Sequence, residues 1–460
     1  MFEQRGQNRQ NTAQIPAKTS VSATPQECAV TAVTAGVNAA HPDQVLSETL
    51  TREGDILSIA NNQYDLSKYE EVSIIGGGNA AGRITQYLTT IVDDHLTGGI
   101  VITDDPVDAD PVNVVTGTHP LPSRSNITAA EQMRSYACDC GANTLSLVVI
   151  TGGGSALLSA PAENIDKSAL RRVTQELIQC GAPIDRINAV RKHISTIKGG
   201  QLARALTPAQ TVGLIFSDVT SGNPSVVASG PLSPDSTTYA DALITLREYD
   251  VNTPESVRMH LQRGANGDID ETPSELSSST FDSPTTIVLA DGMTALDAAA
   301  NACSNLGYEP LILSSSIRGE AREAAKTHVA IAEEVQRNRT PIDPPAAILA
   351  GGETTVTVTG DGVGGPNQEF ALAAALELPS NTALCAIDTD GFDGPTDAAG
   401  ATVTTATVND NEASAARAAL KANDAYSFLD DNAALMLSTE GATGTNVNDL
   451  RVLTILTEDT

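Results

Sequence analysis

Short apolar runs recur along the chain, and several of them end in glycine or aspartate. Stretches with apolar residues at helical spacing, such as ALRRVTQELIQC and AREAAKTHVAIAEEVQ, separate many of these runs. Alternating strands and helices predict an α/β fold with parallel sheets, in which ligands bind beyond the carboxyl ends of the strands. The predicted strands are GIVITDD (99–105), LSLVVITGGG (145–154), TVGLIFSD (211–218), TTIVLAD (285–291), PLILSSS (310–316), AAILAGG (346–352) and ALCAIDTD (383–390).

Polar segments divide this pattern into regions. Residues 266–285 are acidic and serine-rich, which predicts a linker or an exposed loop. We therefore expect one α/β domain over 28–270 and a second over 283–460. Residues 1–27 are polar and contain no apolar run, so they are predicted to form a mobile tail. In the second domain, TTVTVTG (354–360) alternates in polarity, which predicts an antiparallel hairpin or edge strand within a mixed sheet.

The charge balance limits the possible partners. The chain has 57 acidic and 27 basic residues, a formal charge of −30, so we expect neither nucleic acid nor an anionic membrane as a partner. Only seven residues are lysine, aromatic residues make up 3%, and tryptophan is absent. This composition predicts adaptation to high salt; an ordinary acidic cytosolic enzyme is the alternative. No apolar run is long enough to span a bilayer, so we expect a cytoplasmic location.

Metal binding by cysteine is not indicated. The six cysteines are scattered, and the only close pair is Cys138 and Cys140. No second pair or neighbouring histidine completes a zinc site, so we expect free thiols in a reducing compartment.

The first candidate binding element is a glycine turn. Gly76, Gly77 and Gly78 follow the apolar residues VSII and precede a stretch of helical spacing. This order predicts a strand, a turn and a helix whose N-terminus attracts anions. Asn79 stands where many phosphate sites have a lysine. Neither glycine run of the chain fits GxxxxGK(S/T), which excludes a P-loop.

The second candidate is ITGGGSALLSAP (150–161), another strand, glycine turn and helix. Gly153 and Gly154 allow the backbone to approach an anion, and the Ser155 hydroxyl can donate to that anion or cap the helix. A tight turn without a ligand explains the same residues.

Basic residues are concentrated in INAVRKHISTIKGGQLAR (187–204), which contains Arg191, Lys192, His193 and Lys198. In so acidic a chain, this cluster indicates a site for an anionic ligand. A solvated helix face that pairs with local acids is the alternative.

Carboxylates follow several predicted strands. Asp218 stands at a strand end, where it can serve as a general base, hold Mg2+ or cap a turn. Glu353 also follows a strand, and it precedes a glycine loop and the triplet NQE (367–369). Four aspartates lie in DTDGFDGPTDAAG (388–400), a composition that suits a hard cation but also a turn or an acidic surface. They are Asp388, Asp390, Asp393 and Asp397.

Together these segments resemble the glycerate 2-kinases with a MOFRL-type carboxyl-terminal domain, a family also named in places as hydroxypyruvate reductase; the composition makes the resemblance haloarchaeal-like. The resemblance rests on motifs that run in order from about residue 74 to 456. They are GTHPLPS, ITGGGSALLSAPAE, INAVRKHISTIKGGQLA, SDVTSGNPSVVASGPLSPDSTT, GGETTVTVTGDGVGGPNQEFALA, DTDGFDGPTDAAGA and TGTNVNDLR.

The resemblance implies an activity and an architecture. The expected reaction moves the γ-phosphoryl group of ATP to the 2-hydroxyl of D-glycerate, giving 2-phosphoglycerate, with Mg2+ as cofactor. The expected fold has a Rossmann-like amino-terminal domain with a parallel sheet, a second α/β domain with a mixed sheet, and an active site in the cleft between them. We also allow for a homodimer.

Individual roles form a working hypothesis. Asp218, Lys198 and Asn79 are the expected catalytic residues. Substrate binding is expected from Gly153, Gly154, Ser155, Arg191 and Lys192. Nucleotide binding is expected from Gly76, Gly77, Gly78, Asn367, Glu369, Thr445 and Asn446. Asp390 and Glu353 are the expected metal ligands.

Two positions depart from the family pattern. Asn79 replaces a lysine proposed to be catalytic in the family, and Pro366 replaces the arginine of GGRNQE. Both changes remove positive charge that stabilises a transferring phosphate. Lys198, Arg191 or Arg83 can supply the missing charge. A non-catalytic or altered-substrate binding protein is therefore kept as an alternative. A reductase is less favoured because the first glycine turn lacks a dinucleotide fingerprint with its ribose-binding acid.

Overall fold

The computed structural model describes residues 2–4, 21–220, 222–276, 283–439 and 441–457. They form two compact units, named here by their main sheets. The six-stranded unit comprises 45–217 and 223–289, and the seven-stranded unit comprises 1–44, 218–222 and 290–460. The strands of the described residues are β1 (Phe2–Gln4), β2 (Leu50–Glu53), β3 (Ile56–Ile59), β4 (Asn62–Asp65), β5 (Glu71–Gly77), β6 (Leu96–Thr103), β7 (Val112–Thr116), β8 (Thr144–Ile150), β9 (Gln210–Phe216), β10 (Thr285–Ala290), β11 (Glu309–Ile317), β12 (Ala346–Gly352), β13 (Thr382–Asp388), β14 (Gly400–Thr404), β15 (Leu435–Ser438) and β16 (Asp449–Ile455).

The α-helices follow the same chain order. They are α1 (Pro25–Ala40), α2 (Pro42–Thr49), α3 (Ala81–Val92), α4 (Arg124–Asp139), α5 (Gly154–Leu157), α6 (Lys167–Gln179), α7 (Ile184–His193), α8 (Gln201–Leu206), α9 (Tyr239–Glu248), α10 (Glu255–Ala265), α11 (Gly292–Asn305), α12 (Ala321–Asn338), α13 (Pro366–Ala375), α14 (Ala413–Ala422) and α15 (Ala425–Asp431). No helix of the described ranges is both long and apolar enough to cross a membrane.

In the six-stranded unit the main sheet has the order β10-β9-β8-β5-β6-β7, and its pairings from β9 to β7 are parallel. The central strand β8 is buried at every position. Such continuous apolar strands are typical of parallel sheets covered on both faces. Strands β2, β3 and β4 form a separate antiparallel sheet.

In the seven-stranded unit the sheet has the order β1-β15-β14-β13-β16-β12-β11. Strands β11 and β12 are parallel, whereas β12, β13 and β14 have antiparallel partners. The sheet is therefore mixed. An α/β fold with one parallel and one mixed sheet, as predicted from the pattern and the resemblance, is confirmed.

Helix α1 belongs to the seven-stranded unit, although the predicted division placed it with the first domain. Thr24 and Glu27 form a capping box at its start. Its small buried residues allow a close approach to α11, since a Cβ at Gly36 would lie 2.7 Å from the Ala295 carbonyl oxygen. Segment 218–222, which includes Asp218 and begins two residues after β9, also belongs to this unit.

The structure differs from the sequence-based predictions in three segments: the tail, the linker and the strand predicted at 354–360. Most of the predicted tail, 5–20, lies outside the described residues, but its ends include strand β1 and the start of α1. Within the predicted linker 266–285, Thr272 donates to Asp235 at 2.9 Å, so this part is packed, and 277–282 lie outside the described residues. The strand predicted at 354–360 was wrong: the backbone N–H groups of Thr359 and Gly360 donate to the Asn423 side chain instead of a neighbouring strand.

Candidate active site

Two glycine turns meet at the carboxyl ends of β5 and β8. A Cβ at Gly78 would lie 2.0 Å from the Thr151 hydroxyl oxygen, and one at Gly153 would lie 1.9 Å from the Asn79 side-chain oxygen. Gly78 has φ +147° and Gly153 has φ +76°, conformations that side chains rarely adopt. Both residues are therefore required by the contact between the turns, with or without a ligand.

The backbone N–H groups of the first turn are occupied by protein acceptors. Gly78 donates to Ile102 O at 3.0 Å, Asn79 donates to Gly152 O at 2.9 Å, and the N–H of Ala80 donates to the Thr151 hydroxyl at 3.3 Å. Of the three glycines predicted to contact phosphate, Gly78 thus has its amide bonded to a protein acceptor in this conformation; the contacts of Gly76 and Gly77 stay a prediction.

A chain of polar side chains lies beside the second turn. The buried Ser229 hydroxyl donates to Asn188 Oδ1 at 3.0 Å, and the Ser155 and Ser229 hydroxyl oxygens are 3.2 Å apart. Since a hydroxyl has a single proton and Ser229 gives its own to Asn188, Ser155 must donate to Ser229. Ser155 is partly exposed, so its oxygen presents only acceptor capacity to a ligand.

Lys198 also contacts the second glycine turn and the residues that follow it. Its ammonium group is buried and donates to the carbonyl oxygens of Ser155 at 2.9 Å and Leu158 at 2.7 Å. Burial, with a smaller contribution from the positive charge of Arg191, lowers the Lys198 pKa to about 7. Within the described residues no carboxylate pairs with this lysine.

Arg191 and Lys192 differ although they are neighbours on α7. Lys192 forms a buried ion pair with Asp235 at 3.1 Å, and Thr272 and Thr237 also bond that carboxylate. Lys192 thus has an internal counterion, and its role in substrate binding stays a prediction. Arg191 has no hydrogen-bond or ion-pair partner among the described residues, and burial lowers its pKa. Of these two neighbouring cations, Arg191 is therefore the one without a counterion among the described residues.

We call Ser155, Asn188, Arg191, Lys198 and Ser229 the cationic cluster. Asn188 and Arg191 lie three residues apart on α7 and therefore share a helix face. Asn188 is buried, and its side-chain oxygen accepts from the Ser229 hydroxyl. Sequence reasoning missed Asn188 and Ser229. Their positions in the INAVRKH and VVASGPL segments, next to predicted site residues, were the available signal.

Carboxylates accumulate in the seven-stranded unit. Burial, followed by the negative charges of Asp390 and Asp449, raises the Asp388 pKa well above its ordinary value. Burial also raises the pKa of Asp390. Glu353 reaches solvent, but desolvation by neighbouring groups, followed by the charges of Asp449 and Asp218, raises its pKa. We call Asp218, Glu353, Asp388, Asp390 and Asp449 the acidic cluster.

Asp449 is the member of the acidic cluster with an internal cation. Arg451, buried at 1% exposure, donates to its carboxylate, and the Thr354 N–H donates to it at 3.0 Å. The guanidinium also stacks on Phe370, 4.7 Å from the ring centroid. Sequence reasoning quoted the NDLR segment but did not identify Asp449 or Arg451 as a pair.

Asp393 has a structural position beside this cluster. Its carboxylate accepts the backbone N–H groups of Asn367 at 3.0 Å and Gln368 at 2.7 Å, which caps α13. Burial raises its pKa to about 7 despite these bonds. The Asn367 amide donates to Asp449 at 2.6 Å, while Asn367 Oδ1 and Gln368 Oε1 are buried without a partner in the described residues.

Of the other predicted nucleotide-binding residues, Glu369 and Thr445 are buried and bonded inside the fold, whereas Asn446 is exposed. Glu369 accepts from Arg322 at 2.8 Å, and the Asn423 amide donates to its other oxygen at 3.3 Å. The Thr445 hydroxyl donates to Ala40 O at 2.7 Å. Asn446 is exposed and accepts from the Asn448 N–H at 3.0 Å, a local turn. Of these three, Asn446 remains accessible.

The acidic cluster fits Mg2+ in the chemistry of its donors. All are carboxylate oxygens, which hard cations prefer, and a cation would offset the burial and repulsion that raise the pKa values of Asp388, Asp390 and Glu353. Among the described residues, no three His, Cys, Asp or Glu side chains converge on one metal position. Mg2+ is commonly held by one or two carboxylates together with substrate phosphates, a mode that needs no such group.

Comparisons with known proteins agree with this architecture of two α/β units. The protein-family model described as "Domain of unknown function (DUF4147)" matches residues 28–262, and the family model of MOFRL matches residues 346–449. The chain belongs to the glycerate 2-kinase family, which confirms the resemblance found in the sequence.

Individual relatives extend over nearly the whole chain. D-glycerate 2-kinase from Thermotoga maritima is 33% identical over 434 residues, covering 92% of this chain and 97% of that protein. A protein from Agrobacterium vitis that carries the provisional name hydroxypyruvate reductase is 38% identical, covering 83% of this chain and 86% of its own. The crystal structure of glycerate kinase from Thermotoga maritima superposes with a TM-score of 0.80 at 32% identity, covering 94% and 99% of the two chains.

Proposed function

We propose that the protein is a glycerate 2-kinase that transfers the γ-phosphoryl group of ATP to the 2-hydroxyl of D-glycerate. Its relatives at about one-third identity include glycerate 2-kinases whose length it matches almost completely, which supports the kinase class. The chemistry of phosphoryl transfer needs mainly positioning and the neutralisation of charge. The cationic and acidic clusters offer groups that can position the substrates and groups that can neutralise charge.

The observation that carries this proposal is the cationic cluster. A chain with a formal charge of −30 has abundant carboxylates, yet neither Arg191 nor Lys198 pairs with one among the described residues. Leaving a cation without a counterion in a desolvated site is costly. An anionic ligand such as glycerate offsets this cost when it binds.

The cluster suggests a role for each group. Arg191 is proposed to bind the glycerate carboxylate, since a guanidinium matches that group with two parallel hydrogen bonds. Lys198 supplies positive charge beside it. Ser155 is proposed to accept a hydrogen bond from a substrate hydroxyl and not to donate to the carboxylate, because its proton is committed to Ser229.

The acidic cluster is proposed to hold Mg2+ through Asp390 and Glu353, and Asp218 is proposed to orient and deprotonate the 2-hydroxyl. When bound, Mg2+ neutralises negative charge on phosphate oxygens. Burial, followed by neighbouring carboxylates for Glu353, raises the pKa of Asp390 and Glu353, and neither has a cationic partner among the described residues. This lack supports a cation site and distinguishes them from Asp449, which has Arg451.

Asn79 is proposed to act as a neutral hydrogen-bond donor in place of the usual lysine. Its side chain is exposed and packs directly on Gly153, so it lies at the junction of the two turns. Lys198 donates to the carbonyl oxygen of Ser155, two residues after Gly153, and thus brings a positive charge to the second turn. The loss of lysine at position 79 is therefore compatible with catalysis.

The assay for this function measures ADP formation in molar KCl with ATP and Mg2+. We expect ADP formation to depend on D-glycerate and to fall strongly with L-glycerate. A parallel assay with hydroxypyruvate and NADH or NADPH tests the reductase alternative, for which we expect no cofactor oxidation. Dependence of ADP formation on neither glycerate enantiomer would overturn the proposal.

A further inference from the structure

The seven-stranded unit contains another concentration of positive charge, in a concavity of about 320 Å³. Arg322 and Lys326 of α12 and Arg417 and Lys421 of α14 line it. The chain has only 27 basic residues against 57 acidic ones, so four cations around one concavity are unexpected. Glu377 is the acidic residue of the lining.

The spacing of these cations costs stability in both helices. Arg322 and Lys326 are four residues apart, as are Arg417 and Lys421, so each helix places like charges one turn from each other. Arg322 also lies in the first turn of α12, where the helix dipole disfavours positive charge. The dipole accounts only for Lys421, in the last turn of α14.

The four cations are not all neutralised by the protein. Arg322 is fixed by Glu369 at 2.8 Å and by the Leu420 carbonyl oxygen at 3.2 Å, and exposed Lys326 pairs with Glu323 at 2.8 Å. Arg417 and Lys421 are exposed and have no carboxylate partner among the described residues. In the described part of the chain Arg417 donates only to the Ala413 carbonyl oxygen at 3.4 Å, so these two cations lack a carboxylate in a concavity that Arg322 also lines.

We propose that this concavity is a second anion site, separate from the cationic cluster, that binds a phosphorylated small molecule. Guanidinium and ammonium groups together suit a phosphate, which accepts several charge-assisted hydrogen bonds. Leu376 and Ala373 add apolar lining for the carbon part of such a ligand. A volume of about 320 Å³ lies in the range of small-molecule sites.

The test measures acetylation rates of individual lysines by mass spectrometry while pyrophosphate is titrated. Bound pyrophosphate covers Lys326 and Lys421, so at ten times its Kd we expect their labelling rates to fall about tenfold. Lys68, an exposed lysine of the other unit, serves as the internal reference and should keep its rate. Adenosine monophosphate and glycerol 3-phosphate, titrated in the same way, distinguish a nucleotide from a smaller phosphate ester as the preferred ligand.

Matched variants separate a site from general electrostatic attraction. We expect Arg417→Ala to raise the pyrophosphate concentration for half-protection of Lys421 about tenfold. Arg337→Ala removes the same charge from an exposed position on α12 and should leave the pyrophosphate concentration for half-protection of Lys421 unchanged. Rates of Lys326 and Lys421 that do not respond to pyrophosphate, or equal shifts in the two variants, would overturn the proposal. Glycerate turnover does not enter either readout, so this result is independent of the kinase activity.

Discussion

The cationic and acidic clusters carry opposite charges, but in both of them burial and like charges disfavour the charged form of a side chain. In the cationic cluster, burial and Arg191 lower the Lys198 pKa to about 7. In the acidic cluster, burial and neighbouring carboxylates raise the pKa of Asp388. Each environment disfavours the charged form, and each lacks a sufficient counterion. Both clusters are therefore suited to a ligand of opposite charge.

Lys192 and Asp235 show what a structural charge looks like in the same protein. Their ion pair is 3.1 Å long, and threonine hydroxyls satisfy the remaining carboxylate oxygens. Arg191, the preceding residue, has none of these partners among the described residues. The presence or absence of an internal counterion separates structural from candidate functional charges better than location in the sequence does.

The largest effect is expected from removing the cation without a counterion. Arg191→Ala should lower kcat/KM for D-glycerate by about 100- to 1,000-fold, because a charge-assisted contact in a desolvated site is lost. Steady-state kinetics measures this change. Arg186→Ala, on the same helix, is the matched control and should stay near the parent value. Equal losses in the two variants would show that Arg191 has no special contact with substrate.

The acidic cluster is tested through its metal dependence. Asp390→Asn removes one proposed ligand charge and should raise the Mg2+ concentration for half-maximal rate at least about tenfold. A titration of rate against free Mg2+ gives this value. Asp410→Asn, which removes a charge from an exposed position, should leave the titration unchanged. An unaltered Mg2+ requirement in Asp390→Asn would exclude Asp390 as a ligand.

Ser155 is tested by substrate selectivity. If its oxygen accepts a bond from the 3-hydroxyl of glycerate, Ser155→Ala should lower the kcat/KM preference for D-glycerate over D-lactate about tenfold. D-lactate lacks that hydroxyl, so its own kcat/KM should change little. Parallel losses for both substrates would place Ser155 against a group that they share, such as the carboxylate.

The smallest expected effect is a pH dependence. Substrate binding needs protonated Lys198, whose pKa is about 7, so kcat/KM should fall about fivefold between pH 7 and pH 8. Arginine stays charged in this range, and Lys198→Arg should remove the decline. Measured pH profiles of both proteins test this. A decline that persists in the arginine variant assigns the titration to another group.

Lys198 also has a predictable effect on stability. Its folded pKa lies below the ordinary lysine value of 10.5, so between about pH 7 and pH 10 the unfolded chain binds the extra proton. The contribution of this residue to the free energy of unfolding therefore rises with pH in that window. It is fully unfavourable below pH 7, where both states are protonated.

The sequence predicted those features that depend on local pattern. Strand β8, the glycine turn after it and helix α6 follow directly from apolar runs, turn residues and helical spacing. The strand predicted at 354–360 failed because the Asn423 side chain, more than 60 residues away, bonds its backbone. Local pattern carries no information about such a partner.

Site residues were harder to predict for the same reason. Lys192 and Lys198 belong to one basic segment, but only the fold brings Asp235 to the former. Likewise, Ser229 becomes relevant because it lies 3.2 Å from Ser155, 74 positions earlier in the chain. Composition identified the segments that form the two clusters, whereas the contacts of individual residues required the distances between elements.

The most direct test of the central claim is the identity of the product. Purified protein in molar KCl is incubated with ATP, Mg2+ and D-glycerate, and 31P NMR follows the phosphorus signals. We predict the appearance of 2-phosphoglycerate together with ADP. Formation of 3-phosphoglycerate, or no phosphoglycerate from folded protein that still binds ATP, would contradict the account.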